Sequence, residues 1–358
     1  MEESFFLLLQ ASLNTSDSKI EFSKEEWKDC FIQAKKHCLL GVLFPTVKQY
    51  MWDESGNRIE PLYHEWLSYS VKIDLMNSLL NKRAEMLTQT IQSWGYRACI
   101  LKGQGVAQLY PEPSLRQGGD IDIWVDGKQD DIINALKKHN IVIHNIDYVH
   151  SSESFFSDVK VEVHFRPSWL YNPFSNNKLQ RYFRAHAEEQ FVHVDDAIGL
   201  TYPTISFNLV YSLLHINRHI FEEGIGLRQL LDYYYILTHS TLEERREALQ
   251  VIKSVGLMKF AGAIMFIMRE AFCVDQDYLL CAPNIIEGNF LLEEILHGGN
   301  FGKYDGRNKW LRPDKRFLRG WYNTQRNIRY LMHYPNEVLW IPFWKLWHWC
   351  WRKKKGYL

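Results

Sequence analysis

The sequence predicts an α+β fold in which a small mixed sheet is flanked by N-terminal and C-terminal helical regions. Three observations predict it. Apolar residues recur at helical spacing over residues 1–90, they alternate with polar residues at 121–125 and 159–165, and helical spacing returns over residues 203–274. At 358 residues with 46% hydrophobic content, the chain is also long enough to bury a sizeable core.

The N-terminal region is predicted to be helical. Ser23, followed by Glu25 and Glu26, is typical of a helix N-cap with acidic residues in the first turn. Residues 63–93 keep apolar positions at helical spacing and contain neither Pro nor Gly, which predicts one long helix ending near Gly95.

The middle of the chain is predicted to alternate short strands with short helices. The strands are expected at residues 97–101, 121–125, 141–143 and 159–165, and the helices at 104–110 and 132–139. This pattern indicates a compact α/β unit of roughly 80 residues, a size within the usual range of a small domain.

We divide the chain accordingly into four regions. Residues 1–93 form an N-terminal helical region, 94–172 the α/β core, 173–300 a C-terminal helical region, and 301–358 a basic, Trp-rich tail that we expect to pack on the body of the protein.

The cysteines and the apolar stretches indicate the compartment. Six cysteines are scattered without CxxC spacing, which favours free thiols over disulfides or a zinc site. Acidic Glu2 and Glu3 stand where a secretory signal would be basic, and no apolar stretch reaches the roughly 20 residues needed to cross a bilayer. We therefore expect a cytoplasmic protein.

The tail differs from the rest of the chain in charge. Residues 301–358 carry 14 Lys and Arg against three Asp and Glu, a net charge of +11 in a chain whose total is zero. Trp340, Trp344, Trp347 and Trp351 form one helical stripe. That stripe favours packing onto the protein, and the alternative is peripheral contact with an anionic membrane. No nucleic-acid partner is expected, since no recognised module appears.

The clearest chemical feature is a pair of carboxylates. Asp120 and Asp122 alternate with Ile121 and Ile123, so on a strand they point to the same face. Two like charges this close repel unless a cation lies between them, and a hard ion such as Mg²⁺ meets that need and also binds phosphate oxygens.

Neighbouring residues strengthen this interpretation. Gly118 and Gly119 offer an approach free of side chains, where a nucleotide could lie against the backbone. Lys102 and Gly103 end the preceding strand and Arg116 lies four residues before Asp120, so the cations could hold a triphosphate. The predicted nucleotide-binding residues are therefore Lys102, Gly103, Arg116, Gly118 and Gly119. Glu162 alternates with valines on a later strand and could supply a third carboxylate.

These motifs resemble the uncharacterised bacterial nucleotidyltransferase family within the DNA-polymerase-β-like superfamily. The resemblance covers most of the chain and rests on Leu101–Gly103, Leu109–Pro111, Arg116–Val125, Val161–His164, His215–Phe221, Gly226–Asp232 and Gly298–Gly302. The chain departs from the superfamily's Gly-Ser signature, since Lys102-Gly103-Gln104-Gly105 stands in its place.

The resemblance implies a minimal nucleotidyltransferase mixed sheet at residues 94–172, with Asp120, Asp122 and Glu162 as catalytic metal ligands for Mg²⁺ or Mn²⁺. The implied reaction moves a nucleoside monophosphate from an NTP to a hydroxyl-bearing acceptor that the sequence does not name. The alternatives are a nucleotide-binding accessory protein without turnover, or a membrane-surface or partner-binding scaffold that uses the basic tail.

Four further residues are candidates for lining the substrate site. His164 should face the same way as Glu162, although a structural hydrogen-bonded His fits equally. His215 and His219 lie one helical turn apart, a spacing that suits either zinc or a polar helix face turned toward the acids. Arg228 either pairs with Asp232 within a helix or lies near substrate phosphate or sugar.

Overall fold

The computed structural model describes residues 2–15, 20–52, 56–195, 199–307 and 327–357. It has the predicted α+β architecture, with one mixed sheet and helices on both sides of it. The boundaries of the four predicted regions stay a prediction.

The N-terminal helices form as the sequence predicts. They are α1 (Glu2–Ser12), α2 (Lys24–His37), α3 (Leu40–Tyr50) and α4 (Leu62–Ser93). Ser23 caps α2 in a capping box, because its hydroxyl accepts from the Glu26 amide while the Glu26 carboxylate accepts from the Ser23 amide. Helix α4 buries one side along its whole length, including Trp66, Leu80 and Leu87, and so forms a support for the sheet.

The sheet contains five strands in the order β1-β2-β5-β4-β3. They are β1 (Ala98–Leu101), β2 (Ile121–Val125), β3 (Val142–Ile146), β4 (His150–Ser154) and β5 (Val161–His164), with α5 (Gln104–Ala107) after β1 and α6 (Gln129–Lys138) after β2. Strands β2 and β5 are parallel, and the other neighbours are antiparallel. Strand β4 was not predicted, because its sequence His-Ser-Ser-Glu-Ser has no apolar alternation.

The two faces of the sheet have different roles. Ile121, Ile123 and Val163 belong to an apolar cluster that includes residues of α4 and α6. The opposite face carries Asp122 and Glu162, which are direct neighbours in the parallel β2–β5 register. Since alternate residues of a strand point to opposite faces, packing of the apolar residues in the core places the acidic residues on the opposite face of the sheet.

The C-terminal region covers the acidic face with helices. It contains α7 (Pro173–Ala185), α8 (Ala187–Val192), β6 (Val194–Asp195), β7 (Leu200–Thr201), α9 (Ile205–Glu222), α10 (Leu227–Thr238), α11 (Leu242–Ser254), α12 (Met258–Phe272) and α13 (Ile285–Gly298). Among the described residues, 3₁₀ turns lie at Gln276–Tyr278 and Asn300–Gly302 in this region and at Pro113–Leu115 before β2. Helix α9 is buried along most of its length and contacts the sheet, with the rings of Phe207 and Trp124 5.9 Å apart.

The described part of the tail is also helical. It comprises residues 327–331, α14 (Pro335–Val338) and α15 (Ile341–Lys355). Trp344 stacks on Trp169 with ring centroids 4.0 Å apart, and Trp347 and Trp351 contact Tyr148 edge-on. Residues 308–326 of the predicted tail lie outside the described residues. Among the helices that the structure describes, none has the length and apolar character to cross a membrane.

Candidate active site

Three carboxylates converge where β2 and β5 begin. Asp120 precedes β2, Asp122 is its second residue, and Glu162 is the second residue of β5. One oxygen of each carboxylate lies within 4.8 Å of the other two, a separation that one metal ion could bridge. All three line a cavity of about 240 Å³ between the sheet and the C-terminal helices.

Lys102 reaches this cluster from the end of β1. Lys102 and Gly103 both have positive φ, +31° and +54°, so the chain turns sharply after the strand. The Lys102 ammonium lies 3.1 Å from Asp122 Oδ2 and 3.4 Å from His215 Nε2. The Lys102 ammonium, which the sequence predicts to hold a triphosphate, therefore contacts the carboxylate of Asp122 directly.

Two histidines complete the polar face of the sheet. His164 Nε2 lies 2.9 Å from Asp122 Oδ1 and 3.9 Å from Glu162 Oε2. The side chain is buried and does not line the cavity, an arrangement that fits a structural hydrogen-bonded His better than a substrate-lining one. His150, on the unpredicted β4, is opposite His164 in the register, and its Nε2 lies 3.5 Å from Glu162 Oε2. His150, Glu162 and His164 form a second set of close ligand atoms.

The carboxylates differ in their pKa. Burial, together with the charges of Asp122 and Asp120, raises the pKa of Glu162 to about 7. Burial also acts to raise the pKa of Asp122, but the Lys102 charge and the His164 hydrogen bond outweigh it and hold that pKa well below its usual range. Asp122 is therefore ionised, whereas Glu162 is partly protonated near neutral pH. Additional positive charge at the site would favour its ionised form.

Arg116 has a protein partner where the sequence analysis expected a nucleotide. Its Nε and Nη2 donate to the two oxygens of Asp232 at 2.7 and 2.8 Å, and the side chain is 4% exposed. The Tyr110 hydroxyl donates to the same carboxylate at 2.6 Å. Because the Arg116 guanidinium is hydrogen-bonded to the buried Asp232 carboxylate, it is not directed at a triphosphate. Arg228 donates to the Gln117 carbonyl at 2.6 Å, so Asp232 is held by Arg116 rather than by its own helix neighbour.

Helix α9 contributes the cation that the sequence analysis missed. Arg218 is 7% exposed and lines the cavity, and its Nε lies 3.5 Å from Glu222 Oε2 with no hydrogen-bond partner among the described residues. The sequence around Arg218 is largely apolar and does not predict a cation that lines the cavity. The only local indication is that Arg218 lies between His215 and His219 on the same helix.

The two predicted α9 histidines line the same cavity. Burial lowers the pKa of His219 to about 4 and that of His215 well below its usual range, so both imidazoles are neutral. His219 Nδ1 lies 2.8 Å from Glu223 Oε1. Within the described ranges, no third ligand completes a metal-binding group with the pair, which fits the polar-face alternative rather than zinc.

The two glycines before Asp120 have different surroundings. A Cβ on Gly118 would lie 2.4 Å from Leu80 Cδ1 and 3.0 Å from Asn77 Oδ1, so this glycine is needed for close packing on α4. Gly119 lines the cavity and a Cβ there would meet nothing within 4 Å. Only Gly119 provides the open backbone approach that the sequence analysis expected of both.

Comparisons with known proteins agree with this geometry. A family model described as uncharacterised nucleotidyltransferase matches residues 23–272. No curated protein matches the chain. Among solved structures, an antigenic nucleotidyltransferase-like protein from Paracoccidioides brasiliensis is similar at 12% identity and a TM-score of 0.32, over 54% of this chain and 92% of that one.

Proposed function

Because this chain belongs to the uncharacterised nucleotidyltransferase family, we propose that it transfers a nucleoside monophosphate from an NTP to a hydroxyl-bearing acceptor. The observation that carries the proposal is the convergence of Asp120, Asp122 and Glu162 in one cavity with buried cations. In the reaction the acceptor oxygen forms a bond to the α-phosphorus, the hydroxyl loses its proton, and pyrophosphate leaves.

The acids suit a divalent metal ion. Three carboxylates are hard oxygen donors, and the pKa of Glu162 is raised by burial and by the charge of Asp122, which the charge of Lys102 only partly offsets. Asp120, Asp122 and Glu162 would hold Mg²⁺ or Mn²⁺, and the imidazoles of His150 and His164 make Mn²⁺ the better fit. When bound, such an ion supplies Lewis-acid chemistry at phosphate oxygens.

The cations that line the cavity suit a triphosphate. Lys102, Arg218 and Arg228 line it together with the open backbone of Gly103 and Gly119. Arg218 is the strongest candidate, because it is buried and its Nε is without a hydrogen-bond partner among the described residues. A phosphate would therefore give the Nε–H of Arg218 a hydrogen bond in addition to its ion pair with Glu222 at 3.5 Å.

Arg116 acts as a positioning residue in this proposal. Its buried pair with Asp232 anchors the segment that leads to Gly119 and Asp120. The Asn77 side chain of α4 fixes the same segment by donating to the Arg116 carbonyl at 2.6 Å. The acids thus stand on a backbone that is held from two sides.

One observation favours a second candidate, a nucleotide-binding accessory protein without turnover. The Lys102 ammonium lies 3.1 Å from Asp122 Oδ2, where it neutralises a carboxylate that a catalytic metal would need. A lysine in this place can hold the acidic face together without any ion. The two candidates differ in whether pyrophosphate is released.

The test uses the full chain with α-labelled NTPs, Mg²⁺ or Mn²⁺, and fractionated cell extract as the source of acceptors. We expect label in one fraction with equal release of pyrophosphate, and loss of both in Asp120→Asn/Asp122→Asn. Asp131→Asn, an exposed carboxylate on α6, is the matched control. Metal–nucleotide binding by calorimetry without pyrophosphate release supports the accessory protein. Unchanged binding in the double variant contradicts both candidates.

A further inference from the structure

Helix α15 carries a second apolar stripe besides the one that holds it to the protein. Phe343, Leu346 and Cys350 follow one another at spacings of three and four residues, Leu339 lies four residues before Phe343 in the turn that leads into the helix, and all four are exposed. Phe343 is 67% and Leu346 63% exposed. Trp349 is exposed beside this outer stripe. Large apolar side chains at consecutive helical turns are unusual on a free surface and indicate a binding site.

The inner side of the same helix is fixed. Trp344 stacks on Trp169, and Trp347 and Trp351 contact Tyr148. The far end is tied down as well, since the Lys355 ammonium donates to Asp130 of α6 at 2.6 Å. The outer stripe is therefore presented on an already folded helix, and a partner would bind it without ordering the chain first.

The charge around the outer stripe is positive. Residues 327–357 contain six Lys and Arg against one acid, Glu337, which is buried and accepts from the Tyr171 amide at 3.1 Å. Lys353 and Lys354 are exposed, and helical spacing puts them on the two flanks of the stripe. Apolar side chains bordered by lysines form the pattern of a helix that lies in a membrane interface.

We propose that the outer stripe of α15 docks on an anionic lipid surface. Aromatic and aliphatic side chains such as Phe343, Leu346 and Trp349 would enter the headgroup region, while Lys353 and Lys354 contact anionic headgroups. A second copy of the chain fits less well, since a symmetric dimer through this face would oppose two like-charged surfaces. This inference concerns residues beyond the family match at 23–272 and is independent of the proposed transfer reaction.

The test is sedimentation of the full chain with vesicles of phosphatidylcholine, alone or with about one third phosphatidylserine. We expect binding to the anionic vesicles that weakens as salt is raised. Phe343→Ser/Leu346→Ser should lower the partition coefficient about tenfold or more, given the transfer energy of two apolar side chains. Lys353→Gln/Lys354→Gln should lower it about 30-fold at low salt, since each lysine near an anionic surface contributes about fivefold.

Two matched controls separate this surface from general effects. Ile285→Ser/Ile286→Ser removes comparably exposed apolar side chains from α13 and should bind as the unaltered chain does. Lys24→Gln/Lys28→Gln removes two exposed charges from α2 and should change little. Circular dichroism confirms that each variant is folded.

Two results would overturn the proposal. One is absence of binding to anionic vesicles at low salt. The other is a dimer in light scattering that the Phe343→Ser/Leu346→Ser variant dissociates while vesicle binding is unchanged, since the outer stripe would then belong to a second copy.

Discussion

Replacement of Asp232 by Asn tests whether Arg116 is held by the protein or is available to a ligand. Three hydrogen bonds end on the Asp232 carboxylate, two from Arg116 and one from Tyr110, at 2.6 to 2.8 Å. An amide has no charge and a single acceptor oxygen, so the buried guanidinium would lose its counter-ion and a hydrogen bond. Removing one partner of a buried ion pair costs about 3–5 kcal/mol of folding free energy. We expect the Asp232→Asn protein to melt several degrees lower.

The assay is thermal and urea unfolding followed by circular dichroism, for Asp232→Asn, Arg116→Gln and the double variant. The double variant should be less destabilised than the sum of the single ones, by about 2 kcal/mol, because it leaves no unpaired buried charge. Asp126→Asn is the control, since its ion pair with Arg97 is exposed and should be worth at most about 1 kcal/mol. An Arg116→Gln protein of unchanged stability that no longer binds ATP would refute the positioning role and make Arg116 a nucleotide ligand.

Three further predictions concern the cavity. Gly118→Ala should destabilise the fold by about 1–3 kcal/mol because its Cβ would meet Leu80 at 2.4 Å, whereas Gly119→Ala should melt as the unaltered chain does. Arg218→Gln should weaken ATP binding in calorimetry about 30-fold, for a loss of about 2 kcal/mol, without lowering the melting temperature. Burial raises the pKa of Glu162 from 4.5 to about 7, so Mn²⁺ affinity measured by electron paramagnetic resonance should fall about tenfold per pH unit below that pKa. The same shift means that the folded metal-free protein binds this proton more tightly than the unfolded chain, so stability is lost as pH rises from 4.5 to about 7 and is restored by metal.

The elements that the sequence predicts well are those with strong apolar periodicity. The 63–93 helix is observed as α4 (Leu62–Ser93), and the alternation around Asp120 and Asp122 is observed as β2. The resemblance to the nucleotidyltransferase family is confirmed by the family match. Strand β4 was missed because its residues are polar, and because its place in the sheet depends on backbone hydrogen bonds to β3 and β5 rather than on a side-chain pattern.

In the candidate site, too, features that follow from local sequence patterns were predicted, and features that depend on contacts between elements were missed. Strand periodicity predicts that Asp122 and Glu162 each lie on the face opposite the apolar residues, and the family resemblance implies that they meet. The structure places them side by side in the β2–β5 register. His150 depended on β4, and Arg218 depended on how α9 crosses the sheet, so neither was predicted. Arg116 was assigned to a ligand because its spacing from Asp120 is visible in the sequence, while its actual partner Asp232 lies 116 residues further on. The sequence shows which residues are charged and how far apart they are along the chain, but tertiary packing decides which charges are in contact.

Lys102 contacts the acidic cluster and lines the same cavity as Arg218, so it can interact with a metal site and with a phosphate site. Its ammonium lies 3.1 Å from Asp122 Oδ2 and 3.4 Å from His215 Nε2, so two of its three N–H donors already have a partner within the protein. A divalent ion at the carboxylates would neutralise Asp122 and repel the ammonium, which is then available to the triphosphate beside Arg218. A triphosphate would in turn draw Lys102 away from Asp122 and leave that carboxylate to the ion. Each ligand would thus remove the obstacle to the other, so we predict by linkage that the proposed metal ion and nucleotide bind cooperatively through the Lys102 side chain.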